Sequence, residues 1–310
     1  MGRSIDWKNA GISFAIGSAI LLGMSPIFGK QAMLAGLDPK ALVAFRTAGA
    51  AFLLFLVILI FKREHLYIFP LGLLGCVAAG TLNGVGSLLY YASLARLDAS
   101  LGQFLFSLYP IFVAALLYLD GSRPTNFTIV RLLLSIPGVY LLTQAGSGAV
   151  DTRGVVQMLC AACLYAIHIP ITQRVLFEVP APTVTLYTLL AMTVVTVIPF
   201  LLFSWPYEAI PAAAVIPLIC LTVVTFLSRL ALFSGVKLIG GLQTSLFGLA
   251  ELIVTVSLAY VILNETLSPV QWIGAAVIIF ALLLSAFDRI DPPSRRMGGW
   301  LYWLRPPESS

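Results

Sequence analysis

Ser93-Leu-Ala-Arg-Leu97 returns 141 positions later as Ser234-Gly-Val-Lys-Leu238, and at the same shift Leu101, Leu105, Phe106 and Leu108 meet Leu242, Leu246, Phe247 and Leu249. Pro26 and Lys30 land on Pro170 and Arg174 at a shift of 144. A nearly constant shift along the chain means one unit used twice. What each unit is follows from the runs between these marks. Apolar stretches long enough to cross a bilayer need about 17–25 residues. They are Ala10–Leu34, Ala41–Phe61, Leu66–Leu94, Ala99–Leu119 and Phe127–Thr143, then Gly154–Val175, Val184–Phe203, Ala212–Gly235, Leu242–Leu263 and Val270–Phe287. That predicts ten helices, five per unit. An odd number forces the second unit to enter from the opposite face, so the repeats are inverted. Inverted repeats of this kind place a substrate site near the midplane between them, as in secondary transporters.

Composition agrees. The chain has 310 residues, 60% hydrophobic and 10% charged, with a mean hydropathy of +1.00. A soluble domain carries about 25% charged residues, so this chain lacks the polar surface to stay in water. A soluble enzyme, a secreted disulfide scaffold and a disordered chain are excluded. A membrane β-barrel would show short alternating segments, not long apolar runs. The third segment is long enough to be tilted or partly interfacial. The net charge of +5 points to orientation, not to nucleic acid. With ten spans, one face collects Arg3, Lys8, Lys62, Arg63, Arg123, Arg174, Lys237, Arg289, Arg295, Arg296 and Arg305, eleven in all. The other collects Lys30, Lys40, Arg96 and Arg153, and Arg46, Arg131 and Arg229 fall within spans. Positive charge marks the cytoplasmic side, so both termini are expected there.

The four cysteines lie in apolar segments. Cys160-Ala-Ala-Cys163 has the spacing of a redox or metal pair, but no second pair or histidine cluster completes a site. It is read as small packing residues one turn apart on a helix, with no metal.

Polar groups inside the spans are the candidate functional residues, because a charge near the bilayer centre costs at least about 2.5–3.5 kcal/mol. Arg229 and Glu251 come first, at depths of roughly 12 and 16 Å from the cytoplasmic end. A salt bridge between them is geometrically allowed and would be structural. Otherwise Arg229 holds an anionic substrate group, or Glu251 accepts a coupling proton. His168 is either a substrate partner or proton relay, or a histidine satisfied by a neighbouring helix. Asn83 and Gln103 are cavity contacts or interhelical glue. Tyr165 lies deep enough to reach a cavity, whereas Tyr90, Tyr91 and Tyr109 read as interface anchors. Pro26 and Pro170 each remove a backbone donor at the same place in their repeats and are candidate gates, or static kinks. Lys30, Arg174, Arg46 and Arg131 read as side chains snorkelling to the membrane faces. Residues 289–310, with Arg295, Arg296, Trp300, Trp303 and Arg305, form an amphipathic tail expected on the cytoplasmic surface.

Ser245-Leu-Phe-Gly-Leu-Ala-Glu251-Leu-Ile-Val, followed by Leu263-Asn-Glu265-Thr-Leu-Ser268, resembles the second-repeat signature of EamA-type proteins of the drug/metabolite transporter superfamily. There a Leu-Glu-Pro-Val segment precedes a Gly-Glu-x-Leu turn. Ser107-Leu-Tyr109-Pro110-Ile-Phe is the first-half counterpart. Pro39-x-x-Leu-Val-Ala-Phe-Arg46 resembles the opening of the second helix, and Gln271-Trp-Ile-Gly274-Ala-Ala that of the last. Tyr109 departs from a frequent Glu and Leu252 from a frequent Pro. The resemblance implies an all-α membrane protein of ten transmembrane helices, with residues 10–145 and 152–288 as the two repeats and residues 1–9 as a cytoplasmic N-terminus. It also implies a secondary transporter of small metabolites, amino acids first, expected to export them by alternating access. Drug or organic-cation efflux is the alternative within that class, and a non-transporting scaffold or signalling protein the alternative outside it. No enzymatic activity and no cofactor are expected. The expected partners are a small-molecule substrate, the lipid bilayer of a bacterial inner membrane and a proton as coupling ion, with the chain as monomer or homodimer and no nucleic acid.

Overall fold

Several helices carry a proline at their first or second position. α2 (Pro39–Phe61), α3 (Pro70–Leu94) and α8 (Ala181–Phe203) carry Pro39, Pro70 and Pro182 in their first two positions, and α11 (Pro269–Leu283) starts on Pro269. There the missing N–H costs nothing, and the fixed φ is already helical. The computed structural model describes residues 2–119, 126–143, 151–204, 209–241, 244 and 248–284. The other helices are α1 (Gly2–Leu34), α4 (Ala99–Phe106), α5 (Tyr109–Leu119), α6 (Asn126–Thr143), α7 (Thr152–Leu176), α9 (Ala212–Ile239) and α10 (Gly248–Leu263), with a single 3₁₀ turn at Arg63–Leu66. Among the described residues all regular structure is helical. Among the described residues six helices, α1, α2, α3, α7, α8 and α9, are long and apolar enough to cross a membrane.

Ends are as legible as starts. α1 closes in a Schellman turn. Gly36 takes φ +96°, its N–H donates to Met33 O, and the Leu37 N–H donates to Ala32 O. α9 stops at Gly240, φ +86°. α10 stops at Asn264, φ 55°, the one position among the described residues where a side chain other than glycine adopts this backbone. Asn tolerates the left-handed region better than most residues, which explains Asn where the Gly-Glu-x-Leu pattern has Gly. The turn delivers Glu265 to α4, where its carboxylate accepts from Ala99 N (2.7 Å), Ser100 N (2.9 Å) and Ser100 Oγ (2.9 Å).

The halves exchange under one another's packing. Match α1 to α7, α2 to α8, α3 to α9 and α6 to α11. Then α1 on α9 answers α7 on α3, α2 on α9 answers α8 on α3, and the pairs α2–α8 and α6–α11 map onto themselves. Close approach needs small residues at the contacts. A Cβ on Gly80 of α3 would come within 2.6 Å of both Thr188 O and the Ala191 side chain of α8.

Burial is inverted relative to a water-soluble protein. Phe52, Ile60, Leu202, Phe203 and Ile216 are exposed, whereas Arg46, Asn83, Gln103, His168, Arg229 and Glu251 are buried. Apolar side chains face outward where lipid would be, and polar ones face each other, which is the arrangement of a multi-pass membrane protein.

Three expectations are corrected here. The stretch Ala99–Leu119 is interrupted at Ser107–Leu108, because Pro110 has no N–H to return to the turn before it. Cys160 and Cys163 are exposed and are not packing residues. The buried face of α7 is Met158, Ala161, Ala162, Tyr165, Ala166 and Ile169, and both cysteines fall off that face. Lys30 does not snorkel. Its Nζ donates to Leu94 O (2.8 Å) and Leu97 O (2.6 Å), closing the end of α3. The Arg131 side chain and the tail 289–310 lie outside the described residues.

At the surface, Asp151 caps α7, accepting from Arg153 N (2.9 Å) and Gly154 N (3.2 Å), and pairs with Arg96 Nη1 at 2.8 Å. The hydrogen bond from Arg96, then that from Gly154, hold its carboxyl below the ordinary value of 3.8. A lowered folded-state pKa stabilises above the unfolded value and stops doing so as pH falls through the folded one. Acid unfolding of wild type against Asp151→Asn should therefore diverge above pH 4 and converge below it. Parallel curves throughout would refute the assignment.

Candidate functional site

Between the halves lies a cavity of about 60 Å³ lined from α1, α2, α3, α4, α7 and α9. Ser87 of α3 and Ser228 of α9 both face it and stand 228 − 87 = 141 positions apart, the repeat shift itself. The cavity thus straddles equivalent surfaces of the two units.

Two guanidinium groups dominate the wall. Arg229 Nη2 donates to Asn83 Oδ1 at 3.1 Å, and its guanidinium lies 5.6 Å from the Tyr165 ring centre. Arg46 Nη1 donates to Thr225 Oγ1 at 3.1 Å, and Nη2 donates to Ser87 Oγ. Its guanidinium stacks over Tyr91 at 4.6 Å. Among the described residues neither arginine has a carboxylate oxygen within 4.0 Å. Arg46 Nε, Arg229 Nη1 and Asn83 Nδ2 are buried with no acceptor among the described residues.

Glu251 pairs elsewhere. Gln103 Nε2 donates to Glu251 Oε1 at 2.9 Å, and Tyr90 OH donates to Gln103 Oε1 at 3.2 Å. Tyr90 lines the cavity, so a hydrogen-bonded chain runs from the cavity wall through α4 to α10. The salt bridge that the depths of Arg229 and Glu251 allowed is therefore not formed in this conformation. The rings continue the wall inward. Tyr90, Phe106, Tyr165 and His168 follow one another with centroids 5.0, 5.2 and 4.6 Å apart.

Of the residues singled out from the sequence, Asn83, Tyr165 and Arg229 line the cavity. Gln103 and Glu251 stand one and two hydrogen bonds behind it. His168 lies fully buried behind Tyr165, with Nδ1 2.6 Å from Tyr165 O and Nε2 without a partner. It does not line the cavity. Pro26 and Pro170 are buried, and α1 and α7 run through them unbroken.

Arg46, Tyr90 and Tyr91 belong to the cavity, which corrects their reading as snorkelling or interface residues. Depth along a helix says nothing about which way a side chain points. The missing cue was the neighbours of Arg46. Val43 and Ala50 share its face and are buried.

Models of the EamA-like transporter family match residues 9–144 and again 152–287. The chain belongs to the EamA-like transporter family. It is similar to an uncharacterised transporter of Synechocystis sp., 25% identical over 234 residues, covering 71% of this chain and 67% of that protein. A crystal structure of a protein with 15% identity superposes with a TM-score of 0.67 over 90% of this chain and 97% of its own, and shares the fold. The two family matches fall on the two halves between which the cavity lies. As a family member the chain is a membrane transporter of the drug/metabolite superfamily.

Proposed function

We propose that this protein is a secondary transporter that exports small carboxylate-bearing metabolites, amino acids among them, by alternating access. The observation that carries the reading is a polar cavity at the contact of two repeated units, walled by Arg46 and Arg229. In this reading ten segments cross the bilayer. α4 and α5 make one interrupted crossing, and the second five-helix repeat is inverted relative to the first. A site at the repeat interface can then be exposed to either side by rocking one unit on the other. Pro26 and Pro170 sit where the first helix of each unit would bend. Glu251 is the proposed proton site, joined to the cavity by Gln103 and Tyr90. Two guanidinium groups on the wall disfavour organic cations as cargo.

The test is counterflow in proteoliposomes without ATP. Labelled substrate should accumulate against unlabelled substrate inside, and a proton gradient should change the rate. A channel would pass net flux without trans-stimulation, and a scaffold would pass nothing. The eleven-to-four distribution of Lys and Arg supports a cytoplasmic position for both termini. A reporter active only in the cytoplasm, fused after Ser310, should be active, and activity solely of an extracytoplasmic reporter would reverse the orientation.

A further inference from the structure

We propose that the cavity selects substrates with a net negative charge, a carboxylate held between Arg46 and Arg229, and rejects neutral zwitterions and cations of the same skeleton. This rests on the transporter reading above and narrows its substrate class.

The first argument is charge. Among the described residues, the ionisable groups at the cavity and directly behind it are Arg46 and Arg229, both buried and positive, Glu251, and His168 behind Tyr165, which is counted as neutral and brings no negative charge in either state, with the tyrosine hydroxyls between them. If Glu251 is ionised, this centre carries one positive charge in excess. If Glu251 is protonated, it carries two. In either state the centre lacks negative charge, and an uncompensated charge buried in the bilayer is strongly unfavourable. A monoanion brings the first state to neutrality. A zwitterion leaves the excess where it was, and a cation increases it.

The second argument is donors. Arg46 Nε, Arg229 Nη1 and Asn83 Nδ2 are buried and without acceptors among the described residues, and all three side chains line the same cavity. A carboxylate has two oxygens and about four acceptor sites, enough to take a donor from each arginine and one from Asn83. Guanidinium and carboxylate are planar partners suited to such contacts.

The third argument is where an ammonium group would go. Two of the four rings that line the cavity and could attract a cation, Tyr91 and Tyr165, are already taken by guanidinium groups. Arg46 lies over Tyr91 and Arg229 over Tyr165. The carboxylate nearest the cavity, Glu251, stands behind Gln103 and Tyr90. The cavity has acceptors for a hydroxyl but no free counter-charge for an ammonium. Among amino acids, only those with net charge −1 satisfy it. The volume of about 60 Å³, at roughly 10–15 Å³ for each water position, suits a small acid in this conformation.

Two matched series test this on the purified full-length protein. Propionate, alanine and ethylamine share one small skeleton. Phenylpropionate, phenylalanine and phenethylamine share a larger one. Binding is read by calorimetry in detergent, and transport by counterflow in liposomes. Propionate should bind at least tenfold more tightly than alanine and ethylamine and should drive counterflow, and the same order should hold in the larger series for any member that binds. Arg46→Gln and Arg229→Gln should each weaken anion binding at least tenfold. Arg46→Lys and Arg229→Lys keep the charge, so they fold under the same electrostatic conditions and should retain part of the preference. Tighter binding of alanine or phenylalanine overturns the proposal but leaves the transporter reading intact. So does tighter binding of inorganic phosphate than of either carboxylate. Arginine-dependent anion binding without flux of any compound supports the site and sinks the transporter reading. Absence of binding by every anion overturns the proposal.

Discussion

Glu265→Ala is expected to lower the unfolding temperature of the full chain in detergent by on the order of 5–10 °C. The carboxylate closes three donors at once, Ala99 N, Ser100 N and Ser100 Oγ, at 2.7–2.9 Å. It does so from the turn after α10 onto the start of α4, two elements 166 and 165 residues apart in sequence. An ordinary N-cap is worth about 0.5–2 kcal/mol, and hydrogen bonds to a charged group about 1.5–3 kcal/mol each. Because these bonds share one anchoring side chain and are partly open to solvent, they do not add fully, and a total of about 2–4 kcal/mol is reasonable. Glu265→Gln keeps one acceptor oxygen and should lose less than half as much. Tryptophan fluorescence on heating is the measurement. An unchanged midpoint for the alanine variant would mean that α4 does not depend on this contact.

That contact also shows where sequence reasoning stops. The turn Leu263-Asn-Glu265 was visible as a motif, and the φ of 55° at Asn264 gives its physical reason. What the glutamate touches was not visible, because its partners lie in the other repeat. The spans were legible because hydropathy integrates over twenty residues and tolerates local error. The repeat was legible because proline and basic residues punctuate both halves at a nearly constant shift. The interruption at Ser107–Leu108 could have been read from Pro110, which removes a donor in the middle of an apolar run.

The cavity was half legible. Arg229 and Glu251 stand out because charges deep in an apolar run are rare, and that rarity needs no knowledge of direction. Arg46 and Lys30 each lie near a span end, where long basic side chains ordinarily reach water, so position alone suggests the wrong direction. Both instead point at protein. Lys30 meets two carbonyls at the end of α3, and Arg46 meets Ser87, Thr225 and Tyr91. The direction a side chain faces follows from which helices pack together, and that is a property of the assembled bundle.

The pairing of Glu251 leads to the second large effect. A double-mutant cycle on Gln103 and Glu251 should give a coupling of about 1 kcal/mol, because the two share a buried hydrogen bond at 2.9 Å. The corresponding cycle on Arg229 and Glu251 should give a smaller value, since each has its own neutral partner, Asn83 and Gln103. Near-additivity in the first cycle and strong coupling in the second would mean that the two charges meet directly in the dominant conformation. Transport reports on the same carboxyl from another side. If Glu251 exchanges the coupling proton, Glu251→Gln should flatten the pH dependence of counterflow while anion binding at Arg46 and Arg229 persists, because the glutamine still accepts from Gln103. Tyr90→Phe cuts the link between Gln103 and the cavity without touching the carboxyl. It should therefore weaken the pH dependence less than Glu251→Gln does. PH dependence that survives Glu251→Gln unchanged would place the proton elsewhere. His168, buried behind Tyr165 with one ring nitrogen unpartnered, would then be the next residue to replace.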